Sequence, residues 1–244
     1  MAKGMNEVKD RIVEWLKGKV EEAGAKGAVI GLSGGVDSSL VAALAKKALG
    51  ENVIGVIMPC GSADQDADHA MELAEGFGIR TEFVDIKPIF DRLRQSLPPG
   101  QGIAEANLKP RLRMVTLYYF ANLNNYLVLG TGNKSELMVG YYTKYGDGGV
   151  DLLPIAGLYK SEVREMARMI GVPEGIIAKP PSAGLWHGQT DEGEIGMSYD
   201  ELDETLKAIE RHETGGIDPA RLEKVSKMLK KTGHKREMPA IFEP

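Results

Sequence analysis

Small and hydroxyl-bearing residues form a short run between an apolar stretch and an Ala/Leu-rich stretch. The run comprises Gly31, Leu32, Ser33, Gly34, Gly35, Val36, Asp37 and Ser38. Residues 27–30 before it predict a buried strand, and residues 40–45 after it predict a helix. Small residues let backbone N–H groups converge on an anion, and a helix N-terminus adds further donors. The run therefore predicts a phosphate-binding loop.

The spacing within this loop separates it from two common phosphate-binding patterns. It lacks the Gly-Lys-Ser/Thr of the Walker A loop and the Gly-x-Gly-x-x-Gly of dinucleotide folds. Asp37 is a candidate Mg2+ ligand, since Mg2+ takes hard oxygen ligands and few protein carboxylates. The simpler alternative is a tight turn in which Asp37 or Ser38 only caps the helix. The pattern Ser-Gly-Gly-x-Asp-Ser resembles the PP-loop of ATP pyrophosphatases, which split ATP between its α and β phosphates to adenylate a substrate.

A second polar run, residues 130–136, follows the predicted buried strand 126–130. Ligands of parallel α/β sheets bind at the carboxyl ends of the strands, where this run and the phosphate loop both lie. Glu136 is a candidate for a second carboxylate on Mg2+, and Thr131 offers a hydroxyl to ATP. The simpler alternative is a capping turn with a solvated glutamate.

The elements that would position these residues alternate between strand and helix. Strands are predicted at 27–30, 52–58, 80–84 and 126–130, and helices at 8–20, 40–45, 66–77, 86–97, 103–123, 160–170, 199–210 and 218–231. Pro110 marks a start or kink in the helix over 103–123. Alternation predicts one α/β domain over 1–244: a doubly wound parallel sheet of about five strands with helices on both faces and a helical C-terminal part. Residues 180–196, rich in Pro, Gly, Ser and Thr, are a candidate lid.

Composition narrows the class of protein. The 244 residues are 43% hydrophobic and 27% charged, as in ordinary globular domains. The net charge of -5 argues against a general nucleic-acid binder. Cys60 is the single cysteine, so no intrachain disulfide forms, and we expect it to be a buried packing residue. Residues 1–7 have no apolar signal core, and no run approaches membrane-spanning length, so we expect a cytoplasmic protein without a membrane partner.

A third run, the Tyr- and Gly-rich residues 141–151, completes a combination of motifs. Together with the first two runs it resembles the ammonia-dependent NAD+ synthetases, from the first helix to the C-terminal tail. The most specific segments are residues 33–38, 143–148, 181–186 and 188–192. The last two are not shared by PP-loop enzymes in general. The resemblance also implies an adenine nucleotide alpha hydrolase-like fold.

The resemblance implies a ligase that performs the last step of NAD+ biosynthesis. ATP and Mg2+ activate the nicotinate carboxylate of deamido-NAD+ as an adenylate, and ammonia then replaces AMP. The stretch before the phosphate loop is too short for an amidase domain, so free ammonia is the expected donor unless a separate subunit delivers it. The family is typically a homodimer with its substrate site at the subunit interface.

The resemblance also assigns residues of this chain. ATP would contact Gly31, Leu32, Ser33, Gly34, Gly35, Val36, Asp37, Ser38, Thr131, Lys160 and Ser182. Mg2+ would be held by Asp37 and Glu136, and the catalytic set would be Asp37, Glu136 and Lys160. Deamido-NAD+ would contact Arg111, Lys144, Asp151, His234 and Lys235. Asp147 and Asp151 are possible polar partners of ammonium, and the sequence does not assign the base that takes its proton.

Two other classes of protein share parts of this pattern. The first is another PP-loop adenylating enzyme, such as a GMP synthetase subunit or a tRNA-modifying ligase, although the acidic balance disfavours tRNA. The second is a non-catalytic adenine-nucleotide-binding module. That class predicts loss of the metal carboxylates, yet Asp37 and Glu136 are both present.

Overall fold

The computed structural model describes residues 2–61, 64–100, 102–184, 186 and 188–243, without the side chains of Ala2, Lys3 and Asp64. The strands are β1 (Gly27–Leu32), β2 (Val53–Ile57), β3 (Arg80–Phe83) and β4 (Tyr126–Leu129). The helices are α1 (Ala2–Glu22), α2 (Val36–Leu49), α3 (Asp64–Phe77), α4 (Lys87–Ser96), α5 (Ile103–Ala106), α6 (Leu108–Asn124), α7 (Lys134–Val139), α8 (Lys160–Ile170), α9 (Glu174–Ile177), α10 (Asp191–Ile195), α11 (Tyr199–Arg211), α12 (Pro219–Lys231) and α13 (Gly233–Arg236).

The strands form one parallel sheet in the order β3-β2-β1-β4. The predicted α/β fold is confirmed, but the described residues form a four-stranded sheet rather than one of about five strands. Beyond β4 the chain returns to the sheet only as an isolated bridge between Leu129 and Leu152. Pro154 follows closely and has no backbone N–H to extend a ladder. This explains why no further strand forms there in the described part of the chain.

Helices cover both faces of the sheet, and alternate strand residues pack into separate cores. Ala28 and Ile30 face the core made with α1, α2, α3 and α8, whereas Val29 faces the core made with α4 and α6. Helix α2 is buried over most of its circumference, because its alanines let it pack closely between the sheet and α1 and α8. Each fully buried Leu or Val contributes roughly 1.5–3 kcal/mol. The phosphate loop is thus anchored at both ends in packed structure.

The helical pattern predicted over 103–123 is divided into two helices, close to the start or kink that was predicted at Pro110. Helix α5 ends at Ala106, and α6 starts at Leu108. Pro110 lies in the first turn of α6, where its missing N–H is tolerated. In one continuous helix its ring would clash with the carbonyl group of Ala106. The side chain of Asn107, at the junction, accepts a hydrogen bond from the Thr143 hydroxyl at 2.8 Å.

The C-terminal helices form a third core beside α7. Tyr199, Leu202, Leu206 and Val225 are buried there, which confirms the predicted helical C-terminal part. The segment predicted as irregular over 180–196 ends in a helix, α10, capped by the Thr190 hydroxyl. This short helix was not predicted, because the Pro and Gly residues of the segment favour irregular structure. No helix among the described residues combines the length and the apolar character needed to cross a membrane.

Candidate active site

The phosphate loop joins the end of β1 to the start of α2, at the carboxyl edge of the sheet. The backbone N–H of Ser33 donates to Ser38 Oγ at 3.3 Å, and Ser38 Oγ donates to the Gly35 carbonyl at 3.0 Å. Gly35 is the N-cap of α2, and no side chain caps this helix. The alternative in which Asp37 or Ser38 merely caps α2 is therefore wrong. The loop is held by its own hydroxyls, since the Gly35 backbone N–H also donates to Ser33 Oγ at 3.3 Å, and the N-terminus of α2 at its end suits an anion.

Gly34 occupies the tightest point of this loop. Its φ of +71° lies in the left-handed region, which side-chain-bearing residues rarely adopt. A Cβ atom placed there would collide with the backbone carbonyl oxygen of Asp66. Two independent constraints, the backbone conformation and the close approach of α3, thus require glycine at this position.

The centre of the site is a buried ion triad. The Lys160 ammonium contacts Asp37 Oδ2 at 2.5 Å and Glu136 Oε1 at 3.2 Å. The Lys160 side chain is only 2% exposed, whereas those of Asp37 and Glu136 are 17% and 15% exposed. The structure therefore brings together three predicted site residues that are distant in the sequence, with the ammonium of Lys160 between two carboxyl groups.

Burial and charge act in opposite directions within this triad. Burial lowers the pKa of Lys160, but the carboxylates of Asp37 and Glu136 outweigh it, so that pKa lies above its usual value. Burial raises the pKa of Glu136 to about 7, although Lys160 opposes this rise. Lys160 thus stays positively charged, and a cation bound at the carboxylates would favour the ionised form of Glu136.

Asn133 connects the two carboxylates and was missed by the sequence analysis. Its side-chain amide donates to Asp37 Oδ1 at 2.9 Å, and its side-chain oxygen accepts from the Glu136 backbone N–H at 3.1 Å. Asn133 and Glu136 together form the capping box of α7. The capping turn that was considered as an alternative does exist, but Glu136 is largely buried in the triad rather than solvated. The Asn-x-x-Glu spacing was the available signal.

Tyr199 extends the polar network away from the phosphate loop. Its hydroxyl lies 3.1 Å from Glu136 Oε1 and 3.2 Å from Asp191 Oδ2, and its ring lies beneath the Lys160 ammonium. Burial raises the pKa of Asp191. Asp191 was predicted only as part of the motif over 188–192, with no role of its own. Tyr199 was not predicted, because it is indistinguishable in the sequence from a core residue at a helix start.

A second buried network supports Lys160 from below. Asp203 accepts hydrogen bonds from the Ser135 hydroxyl and, at 2.9 Å, from the Ser161 backbone N–H. The Ser135 hydroxyl in turn accepts from the Lys160 backbone N–H at 3.0 Å. These bonds join the N-termini of α7 and α8 to α11, so that Glu136 and Lys160 are carried on one rigid unit.

A cavity of about 620 Å³ opens above the loop and the triad, a size typical of small-molecule sites. The phosphate-loop residues line it except for Gly34, and so do Thr131, Glu136, Lys160 and Ser182. Arg111, Lys144, His234 and Lys235 also line it. The predicted ATP and deamido-NAD+ residues thus share one cavity, apart from Gly34 and Asp151.

The predicted dinucleotide residues are held mainly by backbone carbonyl groups. Lys144 Nζ donates to the His234 carbonyl at 2.5 Å, and Arg111 lies 3.4 Å from the Lys144 carbonyl. Lys235 Nζ donates to the carbonyls of Gly140 and Tyr142 at 2.7 and 2.6 Å.

Asp151 is not brought to the cavity. Its carboxylate accepts from the Val128 backbone N–H at 2.8 Å and from the Tyr118 hydroxyl at 2.9 Å. It therefore braces β4 against α6. Asp147 does line the cavity. It accepts from the Thr143 backbone N–H at 2.9 Å, and burial raises its pKa.

The candidate lid, residues 180–196, folds back on itself beside the cavity. Leu185 of the predicted motif and His187 lie outside the described residues. The Asp191 backbone N–H donates to the Pro181 carbonyl at 3.0 Å, and Gln189 donates to the Tyr141 hydroxyl at 3.0 Å. Ser182 and Trp186 line the cavity from this segment. The lid is therefore tied by these hydrogen bonds, and its described residues Ser182 and Trp186 face the cavity.

Cys60 has the predicted structural role. Its side chain is buried in the core beside β1 and β2, and burial raises the pKa of its thiol.

Comparisons with known proteins agree with this geometry. Residues 8–239 match a protein family described as NAD synthase. The NH(3)-dependent NAD(+) synthetase of Archaeoglobus fulgidus is 52% identical over 237 residues, covering 96% of this chain and 95% of the relative.

Solved structures lead to the same family. The NMN synthetase of Francisella tularensis superposes with a TM-score of 0.90 at 37% identity, covering 97% of this chain and 98% of that one. The NH3-dependent NAD synthetase of Campylobacter jejuni gives a TM-score of 0.87 at 33% identity, covering 98% and 99%. A phosphate loop, a shared cavity and full-length similarity therefore converge, and the chain belongs to the NAD synthase family.

Proposed function

We propose that this protein is a C–N bond-forming ligase that converts deamido-NAD+ to NAD+ with ATP and free ammonia. The observation that carries the proposal is the contact of the Lys160 ammonium with Asp37 and Glu136, at the mouth of a phosphate loop. The name of the Archaeoglobus relative supports ammonia as the nitrogen donor. AMP and pyrophosphate are the other products.

The first step joins the nicotinate carboxylate to ATP. A carboxylate oxygen bonds to the α-phosphorus, the bond from that phosphorus to the bridging oxygen breaks, and the electron pair leaves with pyrophosphate. Both reactants are anionic, so positive charge and N–H donors must face the phosphates. The loop over residues 31–38 supplies the N–H donors, and Lys160 supplies positive charge. Thr131 and Ser182 line the same cavity and offer hydroxyls.

The second step forms the amide. The nitrogen of ammonia bonds to the carbonyl carbon, the bond from that carbon to the AMP oxygen breaks, and nitrogen releases one proton. Ammonium must lose a proton before this attack. Of the two possible polar partners of ammonium, Asp147 lines the cavity and Asp151 does not. This favours Asp147. The segment over 180–196 would exclude water, which otherwise hydrolyses the adenylate.

The donor set fits Mg2+. Asp37 and Glu136 offer two carboxylates that share one cation contact and face the phosphate loop. The described residues contain no cluster of three or more acidic, His or Cys side chains suited to a metal. Mg2+ usually takes one or two protein carboxylates and completes its shell with phosphate oxygens and water. When bound, it would neutralise charge on the phosphates.

We also propose a homodimer, as the family resemblance implies. Val115, Tyr119 and Leu123 are exposed, and their spacing of four residues places them along one stripe of α6. The opposite side of α6, including Leu117 and Ala121, packs into the core. An exposed apolar stripe on α6, a helix that also lines the cavity, suits contact with a second copy of the chain. This arrangement would place the partner near Arg111.

One assay tests the function. The protein is incubated with ATP, Mg2+ and deamido-NAD+, together with either ammonium or glutamine, and the products are separated by chromatography. We expect NAD+, AMP and pyrophosphate in equal amounts with ammonium, and no NAD+ after chelation of Mg2+. Turnover of xanthosine monophosphate without NAD+ formation would instead indicate a GMP synthetase-like enzyme. ATP binding without any AMP would indicate a non-catalytic module.

A second candidate substrate is nicotinate mononucleotide. The similarity to the Francisella NMN synthetase favours it, and the reacting carboxylate is chemically the same. The ratio of kcat/KM for the dinucleotide to that for the mononucleotide separates the two substrates. We expect this ratio to exceed one, and a ratio well below one would reassign the substrate.

A further inference from the structure

Lys179 and Asp66 form an ion pair between the lid and the phosphate loop. Lys179 directly precedes the Pro-Pro pair at the base of the lid, and Asp66 lies in the first turn of α3. Both side chains line the cavity that contains the phosphate loop. The backbone carbonyl of Asp66 is also the atom against which Gly34 packs. The pair therefore lies next to the loop.

The other lysines that line the cavity already have two carboxylate partners or backbone carbonyl partners. Lys160 is buried between two carboxylates, and Lys144 and Lys235 donate to backbone carbonyl groups. Lys179 instead contacts one carboxylate, and both partners remain accessible to water, with 26% of Lys179 and 30% of Asp66 exposed. An exposed pair of this kind contributes little to stability. The ammonium of Lys179 can therefore change partners at low cost.

Acidic side chains lie around the phosphate loop, so a further ammonium there would favour the binding of polyphosphate. Asp37 and Glu136 place two carboxyl groups around the single ammonium of Lys160, and the Asp66 carboxylate lies nearby in its pair with Lys179. A polyphosphate entering this region adds negative charge beside these carboxyl groups, and Lys179 would add an attractive ammonium to that of Lys160 if it turned from Asp66 towards the phosphates. The side chain is long and flexible enough for that rotation.

We propose that Lys179 binds the β and γ phosphates of ATP, exchanging its contact with Asp66 for them, and that it then holds the pyrophosphate product. This assignment rests on the proposed use of ATP. It makes the base of the lid a direct participant in phosphate binding. Asp66 acts as the partner that holds the ammonium beside the phosphate loop before ATP binds.

Two single variants distinguish this role from a purely structural tie. Lys179→Met removes the ammonium, whereas Asp66→Asn removes only its resting partner. A structural tie predicts equal effects, since both variants break the same pair. Phosphate binding predicts different effects. We expect Lys179→Met to weaken ATP and pyrophosphate binding about ten-fold, the size of one charge-assisted hydrogen bond, and to leave AMP binding unchanged. Asp66→Asn should bind ATP at least as tightly as the wild type.

Calorimetric titration of the full-length protein with MgATP, magnesium pyrophosphate and AMP measures these affinities without the acceptor substrate. Lys179→Arg, which keeps the charge, should restore phosphate affinity to within about three-fold. The proposal is overturned if Lys179→Met binds ATP within two-fold of the wild type, or if Asp66→Asn weakens ATP binding more than two-fold. A parallel NAD+ assay of the wild type separates this test from the test of the proposed function. If the wild type forms NAD+ and Lys179→Met binds ATP as the wild type does, only the role of Lys179 is rejected.

Discussion

Replacing Lys160 by Met tests the charge balance of the site directly, because Met fills similar space without a charge. Removing one partner of a buried ion pair costs ~3–5 kcal/mol. Asp37 and Glu136 retain 17% and 15% exposure, so water compensates part of the loss. We therefore expect the free energy of unfolding to fall by about 2–4 kcal/mol when divalent cations are absent.

The size of this loss should depend on pH through Glu136. Its pKa is raised to about 7 by burial, and Lys160 opposes that rise, so the variant should have a still higher pKa. A carboxyl group whose pKa is higher in the folded state than in the unfolded state loses stability as pH rises through the folded value. The deficit of Lys160→Met should therefore be smaller near about pH 6 and larger near about pH 8.

Urea unfolding followed by circular dichroism measures both effects, in chelator and then in millimolar Mg2+. Mg2+ should restore part of the lost stability in the variant, because a cation between the carboxylates replaces the missing ammonium. Lys134→Met is the matched control: its pair with Glu210 is more exposed, so we expect a change below about 1 kcal/mol. A Lys160→Met protein as stable as the wild type at every pH, or a deficit that shrinks as pH rises, would refute this reasoning.

Three further substitutions test other parts of the structure. Asp203→Ala should lower the free energy of unfolding by about 2–4 kcal/mol, since it leaves buried donors without an acceptor; thermal unfolding that matches the wild type would contradict this. Gly34→Ala should reduce ATP affinity and cost about 2 kcal/mol or more because of the left-handed backbone and the clash with α3; Gly18→Ala, in open space on α1, is the control and should be neutral or stabilising. Tyr119→Asp should shift sedimentation from dimer towards monomer without unfolding the chain, and an unchanged sedimentation coefficient would reject the α6 interface.

The phosphate loop and its carboxylate partner were predictable because their local signals are strong. Residues 31–38 lie between an apolar strand and an Ala-rich helix. Glu136 belongs to the polar run that follows the strand predicted at 126–130. Parallel strands bring their carboxyl ends to one edge of the sheet, so fold class predicts that Asp37 and Glu136 share that edge. The pairing of β1 with β4 then brings them close together. Lys160 was assigned only through family resemblance, since a helix-start lysine carries no signal of burial.

The remaining differences arise from long-range packing. Tyr199 and Asp191 look like ordinary helix-start residues, and only the approach of α11 to α7 gives them polar partners. Asp151 follows a motif linked to substrate binding, yet the single bridge at Leu129 turns its carboxylate towards β4. The division of α5 from α6 depended on the exact position of Pro110 within a turn, which periodicity does not resolve.

The Tyr199 hydroxyl has one proton but faces two carboxylates, Glu136 and Asp191, and it can donate to only one of them at a time. A cation that neutralises Glu136 would leave this proton to Asp191. Asp191 holds the lid together, because its backbone N–H donates to the Pro181 carbonyl and its carboxylate accepts from the Ala183 backbone N–H. Hydrogen exchange at Ala183 and Asp191 should therefore slow when Mg2+ binds, and unchanged exchange would contradict the link. By thermodynamic reciprocity, closing the lid would strengthen cation binding by the same free energy. The proton of the Tyr199 hydroxyl would thus couple cation binding at Glu136 to closure of the lid, which excludes water from the reaction.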